Sequence, residues 1–177
     1  MNITVYLGSF DGHDDSLRDA VRELGEWIGK SGNALVYGGS KIGLMGVLAE
    51  SVIQSGGRAT GVEPGFFIDK VLQYDELTEL IVTENMSDRK AKMIELGDAF
   101  IALPGGTGTL EEIAEIMSAV SLGLIKAPCV VYNYEGYYDS LRDLLDKMVE
   151  KGLSSADRQE GIYFADSLEE IIEILGE

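Results

Sequence analysis

The run Leu103-Pro104-Gly105-Gly106-Thr107-Gly108-Thr109-Leu110-Glu111-Glu112 gathers glycines, hydroxyls and carboxylates in one short stretch. Gly105, Gly106 and Gly108 carry no Cβ, so backbone N–H groups there can approach an anion closely. The amphipathic pattern that follows reads as a helix from Thr109 to Leu122. Its first turn would direct unpaired N–H donors and a partial positive charge at the same point. Thr107 and Thr109 add hydroxyl donors. The chemistry indicated is the cradling of a phosphate. The loop has no P-loop lysine, and Gly8-Ser9-Phe10-Asp11-Gly12 is not the dinucleotide-binding fingerprint.

The carboxylates beside that loop differ in their expected surroundings. At ~100° per residue, Ile113, Ile116, Met117 and Val120 share one helix face. Glu112 borders that stripe, next to the loop and partly out of water. Glu111 points away and suits a first-turn charge on the helix dipole, and Glu115 lies farther from the stripe. A second helical pattern, from about Ser87 to Leu96, places Arg89 and Lys90 among Met86, Met93 and Ile94. Asp88 and Lys92 fall on another face as an i,i+4 pair expected to be solvated. Two cations beside apolar residues either snorkel or supply a positive site, and arginine's planar fork suits phosphate or another oxyanion.

That positive site matters because the chain carries a formal net charge of −17. Such a surface excludes a long nucleic acid, whose phosphates need a basic face. A small anion would need local cations against the global field.

Strands alternating with helices must position these groups. Strands are expected at Ile3–Leu7, Ala34–Tyr37, Arg58–Val62, Ala99–Leu103, Pro128–Tyr132 and 162–164, with a short one near Leu80-Ile81-Val82 in an otherwise irregular stretch, Glu63–Glu84. Helices are expected at Ser16–Lys30, Leu44–Gln54, Tyr137–Lys151 and Leu168–Leu175, besides the two above. The alternation predicts a Rossmann-like α/β fold: an open parallel sheet with helices on both faces, in a single domain spanning residues 1–177. In such sheets ligands bind beyond the carboxyl ends of the strands. Gly8-Ser9, Gly38-Gly39-Ser40 and the Pro104–Thr109 loop all fall at such ends, so the candidate binding residues are Gly8, Ser9, Gly38, Gly39, Lys90, Gly105, Gly106, Thr107, Gly108, Thr109 and Glu111.

The remaining chemistry is sparse. The single histidine, His13, lies in a polar loop and reads as exposed, so a histidine-rich metal site is not expected. The single cysteine, Cys129, lies in an apolar run and reads as a core thiol, consistent with a reducing compartment. No uncharged apolar run is long enough for a membrane span. The opening residues carry no basic segment or cleavage-site pattern, so a cytoplasmic location is expected.

From Pro104 to Glu112 the sequence matches Pro-Gly-Gly-x-Gly-Thr-x-x-Glu, the signature of the LOG family. Met86-Ser87-Asp88-Arg89-Lys90 resembles that family's Met-His-x-Arg-Lys motif. Tyr37-Gly38-Gly39-Ser40 with Gly43-Leu44-Met45-Gly46 resembles its second glycine loop, and Gly8-Ser9 its first. Asp98–Leu103 and Gly136-Tyr137-Tyr138 also match, so the resemblance covers nearly the whole chain. It implies a homodimer that hydrolyses a nucleoside 5′-monophosphate to free base and ribose 5-phosphate, with Arg89 and Glu112 as the essential catalytic pair. Family members also bear an older lysine decarboxylase label. Nothing in the resemblance implies a pyridoxal-phosphate site, and no cofactor or metal is expected.

The sequence departs from the family pattern at Ser87, at Ser40 and at Glu63-Pro64, where the family has Ile-Pro. These departures bear on base recognition rather than on backbone phosphate binding. The principal alternative is a non-catalytic nucleotide or molybdenum-cofactor carrier of the same fold. A deoxyribosyl transferase and a dinucleotide-dependent oxidoreductase rank below it.

Overall fold

A computed structural model describes residues 1–13, 15–68, 74 and 76–176. Among these, seven strands form one parallel sheet: β1 (Asn2–Tyr6), β2 (Ala34–Tyr37), β3 (Arg58–Pro64), β4 (Glu79–Thr83), β5 (Ala99–Ala102), β6 (Cys129–Tyr132) and β7 (Ile162–Ala165). Their order is β4-β3-β2-β1-β5-β6-β7. The helices are α1 (Asp15–Lys30), α2 (Gly43–Gln54), α3 (Gly65–Ile68), α4 (Met86–Leu96), α5 (Thr107–Ser121), α6 (Asp139–Glu150), α7 (Ala156–Gln159) and α8 (Leu168–Leu175). This is the Rossmann-like arrangement that the alternation predicts.

Strand side chains point alternately to the two faces, which divides the core in two. Ile3, Val5, Leu35, Tyr37, Ile101 and Val130 meet Val21, Leu24 and Ile28 of α1, Leu44, Leu48 and Val52 of α2, and Ile171 of α8. On the other face Tyr6, Val36, Phe100, Ala102 and Val131 meet Met93 of α4 and Ile113, Ile116, Met117 and Val120 of α5. Every residue of β5 and of β6 is buried, which explains their unbroken apolar sequences.

Met93 and Met117 are 1% and 7% exposed, so they fill the core and offer no interface surface. The outcome differs from the sequence expectation in three places. Helix α5 begins at Thr107, which puts Thr107 and Gly108 in its first turn rather than in the preceding loop. Helix α6 begins at Asp139, because Glu135 and Gly136 take left-handed conformations (φ 48° and 75°) and break the pattern before it. The short helices α3 and α7 were not anticipated. Part of the stretch 63–84, namely 69–73 and 75, lies outside the described residues. Among the described residues no helix is long and apolar enough to cross a membrane.

Candidate active site at the sheet switch point

The chain runs outward from β1 to β2, β3 and β4, then returns to place β5 on the other side of β1. This reversal opens a crevice above the carboxyl ends of β1 and β5. The Gly8 N–H donates to Pro104 O at 3.3 Å. A Cβ on Gly105 would lie 2.9 Å from Gly8 N and 2.2 Å from Thr109 Oγ1. The first and third glycine loops therefore touch, and only glycine fits at 105. The second loop joins them from β2: Gly39 has φ +86°, and a Cβ on Gly38 would lie 2.5 Å from Arg89 Nη2.

Helix α5 starts at this crevice with Gly106 as its N-cap and no side-chain cap. Its first N–H groups are left for another acceptor. Gly106, Thr107 and Gly108 are exposed, and a Cβ added at Gly106 or Gly108 would meet nothing within 4 Å. Thr109 is buried and packs beneath Gly105, so of the two hydroxyls only that of Thr107 lies on an exposed residue.

Helix α4 supplies the cations. Asn85 caps it by accepting from the Asp88 N–H at 2.9 Å. One turn in, Arg89 Nη1 meets Glu112 Oε1 at 2.5 Å, with the two side chains only 12% and 10% exposed. Arg89 Nε donates to Val62 O at 3.0 Å, so the guanidinium is fixed from β3 as well as from α5. Burial raises the Glu112 carboxyl above its ordinary value, and the Arg89 charge opposes that rise. The Tyr6 phenol, buried on the same face, is raised by burial and then by the Glu112 charge, while Arg89 lowers it. Tyr6 is therefore a neutral wall to the ion pair.

Lys90 is paired with Glu111 and, at 3.0 Å, with Glu115. Hydrogen bonds to these two carboxylates raise its pKa. Glu111 is exposed, as expected, but it is occupied by Lys90. The expected Asp88–Lys92 pair does not form: Asp88 accepts from Asn85 Nδ2 at 2.9 Å, and Lys92 turns to Glu95 at 2.9 Å. The N-cap interaction holds Asp88 on its own turn.

The structure thus brings Gly8, Gly38, Gly39, Gly105, Arg89 and Glu112 together at one edge, with Ser9 exposed beyond Gly8. Sequence reasoning missed what holds them. Tyr6 backs the ion pair and Val62 O orients Arg89. The Tyr138 hydroxyl donates to Leu103 O and the Tyr137 hydroxyl to Gly105 O, each at 2.7 Å. The Gly136-Tyr137-Tyr138 match was the one signal that could have pointed to these tyrosines. His13 is exposed. Cys129 is buried, which pushes its thiol up to about 12. Among the described residues no group of His, Cys, Asp or Glu could hold a metal.

The fold and crevice define a Rossmann-like α/β protein with a glycine loop at an uncapped helix N-terminus and a buried arginine–glutamate pair. A family model described as "Possible lysine decarboxylase" matches residues 45–175, and the chain belongs to this family, the LOG family. It is 39% identical over 173 residues to a cytokinin riboside 5′-monophosphate phosphoribohydrolase of Arabidopsis thaliana, covering 98% of this chain and 81% of that protein. It is 41% identical over 152 residues to the enzyme of the same name from Rhodococcoides fascians, covering 85% and 77%. Among solved structures, the molybdenum cofactor binding protein of Rippkaea orientalis matches with a TM-score of 0.73 at 22% identity, covering 99% of this chain and 94% of that one. The molybdenum cofactor carrier protein of Chlamydomonas reinhardtii matches with a TM-score of 0.72 at 21% identity, covering 99% and 98%. These two likenesses show the fold alone.

Proposed function

We propose that this chain hydrolyses the N-glycosidic bond of a nucleoside 5′-monophosphate, of the AMP or cytokinin riboside monophosphate type, to free base and ribose 5-phosphate. The observation that carries the reading is the buried Arg89–Glu112 pair standing beside the uncapped N-terminus of α5. The 5′-phosphate sits on the N–H groups of the Gly105–Thr109 loop, where the helix dipole favours negative charge. As the bond to the base breaks, the sugar gains oxocarbenium character. The Glu112 carboxylate stabilises that positive charge and orients the water that adds to the sugar carbon. Arg89 holds Glu112 ionised and stabilises the leaving base or the phosphate end. The water's oxygen and one of its protons stay on ribose 5-phosphate as the hydroxyl of the attacked carbon, and the other proton replaces the sugar on the departing base.

The lysine decarboxylase description does not suit this crevice. A Schiff-base lysine must lose its proton, whereas Glu111 and Glu115 hold Lys90 protonated.

The reading extends to a cytoplasmic homodimer. With Met93 and Met117 buried, its support is the exposed apolar side of α5 and the loop after it, where Leu110, Leu122 and Leu124 are 45%, 60% and 76% exposed. Light scattering at micromolar concentration should give twice the chain mass. The decisive experiment for the activity is chromatography of AMP and isopentenyladenosine monophosphate after incubation with pure protein. Free adenine or isopentenyladenine with ribose 5-phosphate is expected. Binding of AMP without any product would instead favour a carrier, as the Chlamydomonas reinhardtii neighbour is named.

A further inference from the structure

The Tyr137 side chain is half exposed, yet its hydroxyl is committed to a backbone carbonyl, Gly105 O, at 2.7 Å. A long-range network brings it there. Asn133, itself buried, accepts from the Tyr138 N–H at 2.7 Å and donates to Asp139 and Asp166. Glu135 and Gly136, both left-handed, then turn the chain back toward the sheet edge. A left-handed conformation is disfavoured for a non-glycine residue like Glu135. It occurs in a segment that goes on to bond Gly105 O in the glycine loop through Tyr137 and Leu103 O just before it through Tyr138. The rings of Tyr137 and Tyr138 meet edge to face, 4.9 Å apart.

Gly105 O belongs to the Gly105–Gly106 peptide. Across a planar trans peptide the C=O and N–H point in opposite directions. Fixing Gly105 O against Tyr137 therefore turns the Gly106 N–H away from Tyr137. Glycine on both sides lets this unit rotate end over end with little steric resistance. In the flipped state a carbonyl oxygen would take the place of a donor at the start of α5. Among the described residues no hydrogen bond engages the Gly106 N–H.

We infer that Tyr137 is a positioning residue: its hydroxyl locks the Gly105–Gly106 peptide so that the Gly106 N–H is presented to the phosphate of the ligand. The inference rests on the reading that the phosphate occupies this loop. It assigns Tyr137 a role toward phosphate-bearing ligands, nucleoside monophosphate and ribose 5-phosphate alike, and none toward a free nucleoside.

Titration calorimetry with ribose 5-phosphate and steady-state kinetics on AMP, for wild type, Tyr137→Phe and Tyr138→Phe, test it. A backbone donor to a charged group, lost for most of the population, predicts about tenfold weaker ribose 5-phosphate binding in Tyr137→Phe. KM for AMP should rise similarly, with kcat within about twofold and Tm unchanged, because the ring and its packing remain. Tyr138→Phe is the structural control: its buried hydroxyl should cost Tm without the selective loss of phosphate affinity. Equal ribose 5-phosphate binding by Tyr137→Phe and wild type would overturn the inference. So would a Tyr137→Phe defect of equal size for adenosine and AMP, which would mean general damage to the loop. Wild-type protein that binds neither AMP nor ribose 5-phosphate would instead remove the reading of the crevice itself.

Discussion

Gly38 leaves vacant the space that the Arg89 guanidinium fills: a Cβ at residue 38 would lie 2.5 Å from Nη2 and 3.0 Å from Met45 Sδ. The obstructed atoms are the ends of flexible side chains, so Gly38→Ala is expected to fold. Arg89 would have to retreat from Glu112. Activity on AMP should fall by ~10²-fold, the order seen when one preorganised electrostatic contact is lost. Tm should change little. A fully active Gly38→Ala protein would show that Arg89 need not hold this position.

Glu112→Gln should lower kcat by about 10²-fold or more and leave the affinity for ribose 5-phosphate near that of wild type. The carboxylate's charge acts chiefly when the sugar becomes cationic, and such interactions appear in kcat. Glu111→Gln is the neighbouring control. It removes one of two acceptors from Lys90 on the exposed side of α5, an interaction worth roughly 0–1 kcal/mol. Full activity of both variants on AMP and on a cytokinin monophosphate would end the assignment of Glu112.

The titration of Glu112 gives an independent test. Burial raises its pKa and Arg89 lowers it. In Arg89→Met the largest lowering cause is gone and only the smaller one from the Lys90 charge remains, so the carboxyl should titrate at higher pH than in wild type, read by its side-chain ¹³C shift. The folded state holds this proton more tightly than the unfolded chain does. The group's contribution to stability therefore declines as pH rises from the ordinary carboxylate range through the folded value. For the same reason the acid limb of the wild-type rate profile should lie above the usual carboxylate range, because the ionised form is the one that acts.

On the opposite face, α1 crosses α2 through glycine. A Cβ on Gly25 would lie 2.7 Å from Ser51 Cβ and 2.9 Å from Leu48 O. Backbone and a short side chain have little room to yield, so Gly25→Ala should destabilise by about 1–3 kcal/mol despite its better helix propensity. Urea unfolding followed by circular dichroism measures this. The crevice lies elsewhere, so activity at low temperature should persist.

The sheet, its strand-end loops and the Glu112 side of α5 were legible in the sequence because they follow from local rules. Unbroken apolar runs become doubly buried strands such as β5 and β6, and the 3.6-residue period picks out Ile113, Ile116 and Val120. What was not legible depends on residues far apart in the chain. The exposure of Met93 and Met117 could not be told from periodicity, since a core and an interface want the same side chains. Lys92 and Asp88 satisfied the spacing of a helical pair, but the competing cap at Asn85 took Asp88 first. The bonds from Tyr137 and Tyr138 to Gly105 O and Leu103 O span the β5–β6 crossover. Their geometry depends on Glu135 adopting a conformation that no pattern in its neighbours requires.

The placement of β1 has a consequence for how the molecule comes into being. The central strand precedes the other six strands in the chain, and its Ile3 pairs with Leu35 on one side but with Ala99 on the other. During synthesis β1 to β4 can assemble while one edge of the central strand still lacks its partner. An open edge of this kind templates association with other chains, and it persists until β5 emerges, a delay that favours aggregation of nascent chains. The crevice lies above β1 and β5, so the closure that protects the nascent sheet is also the event that forms the crevice. A chain truncated before β5 should therefore be sticky and inert at once.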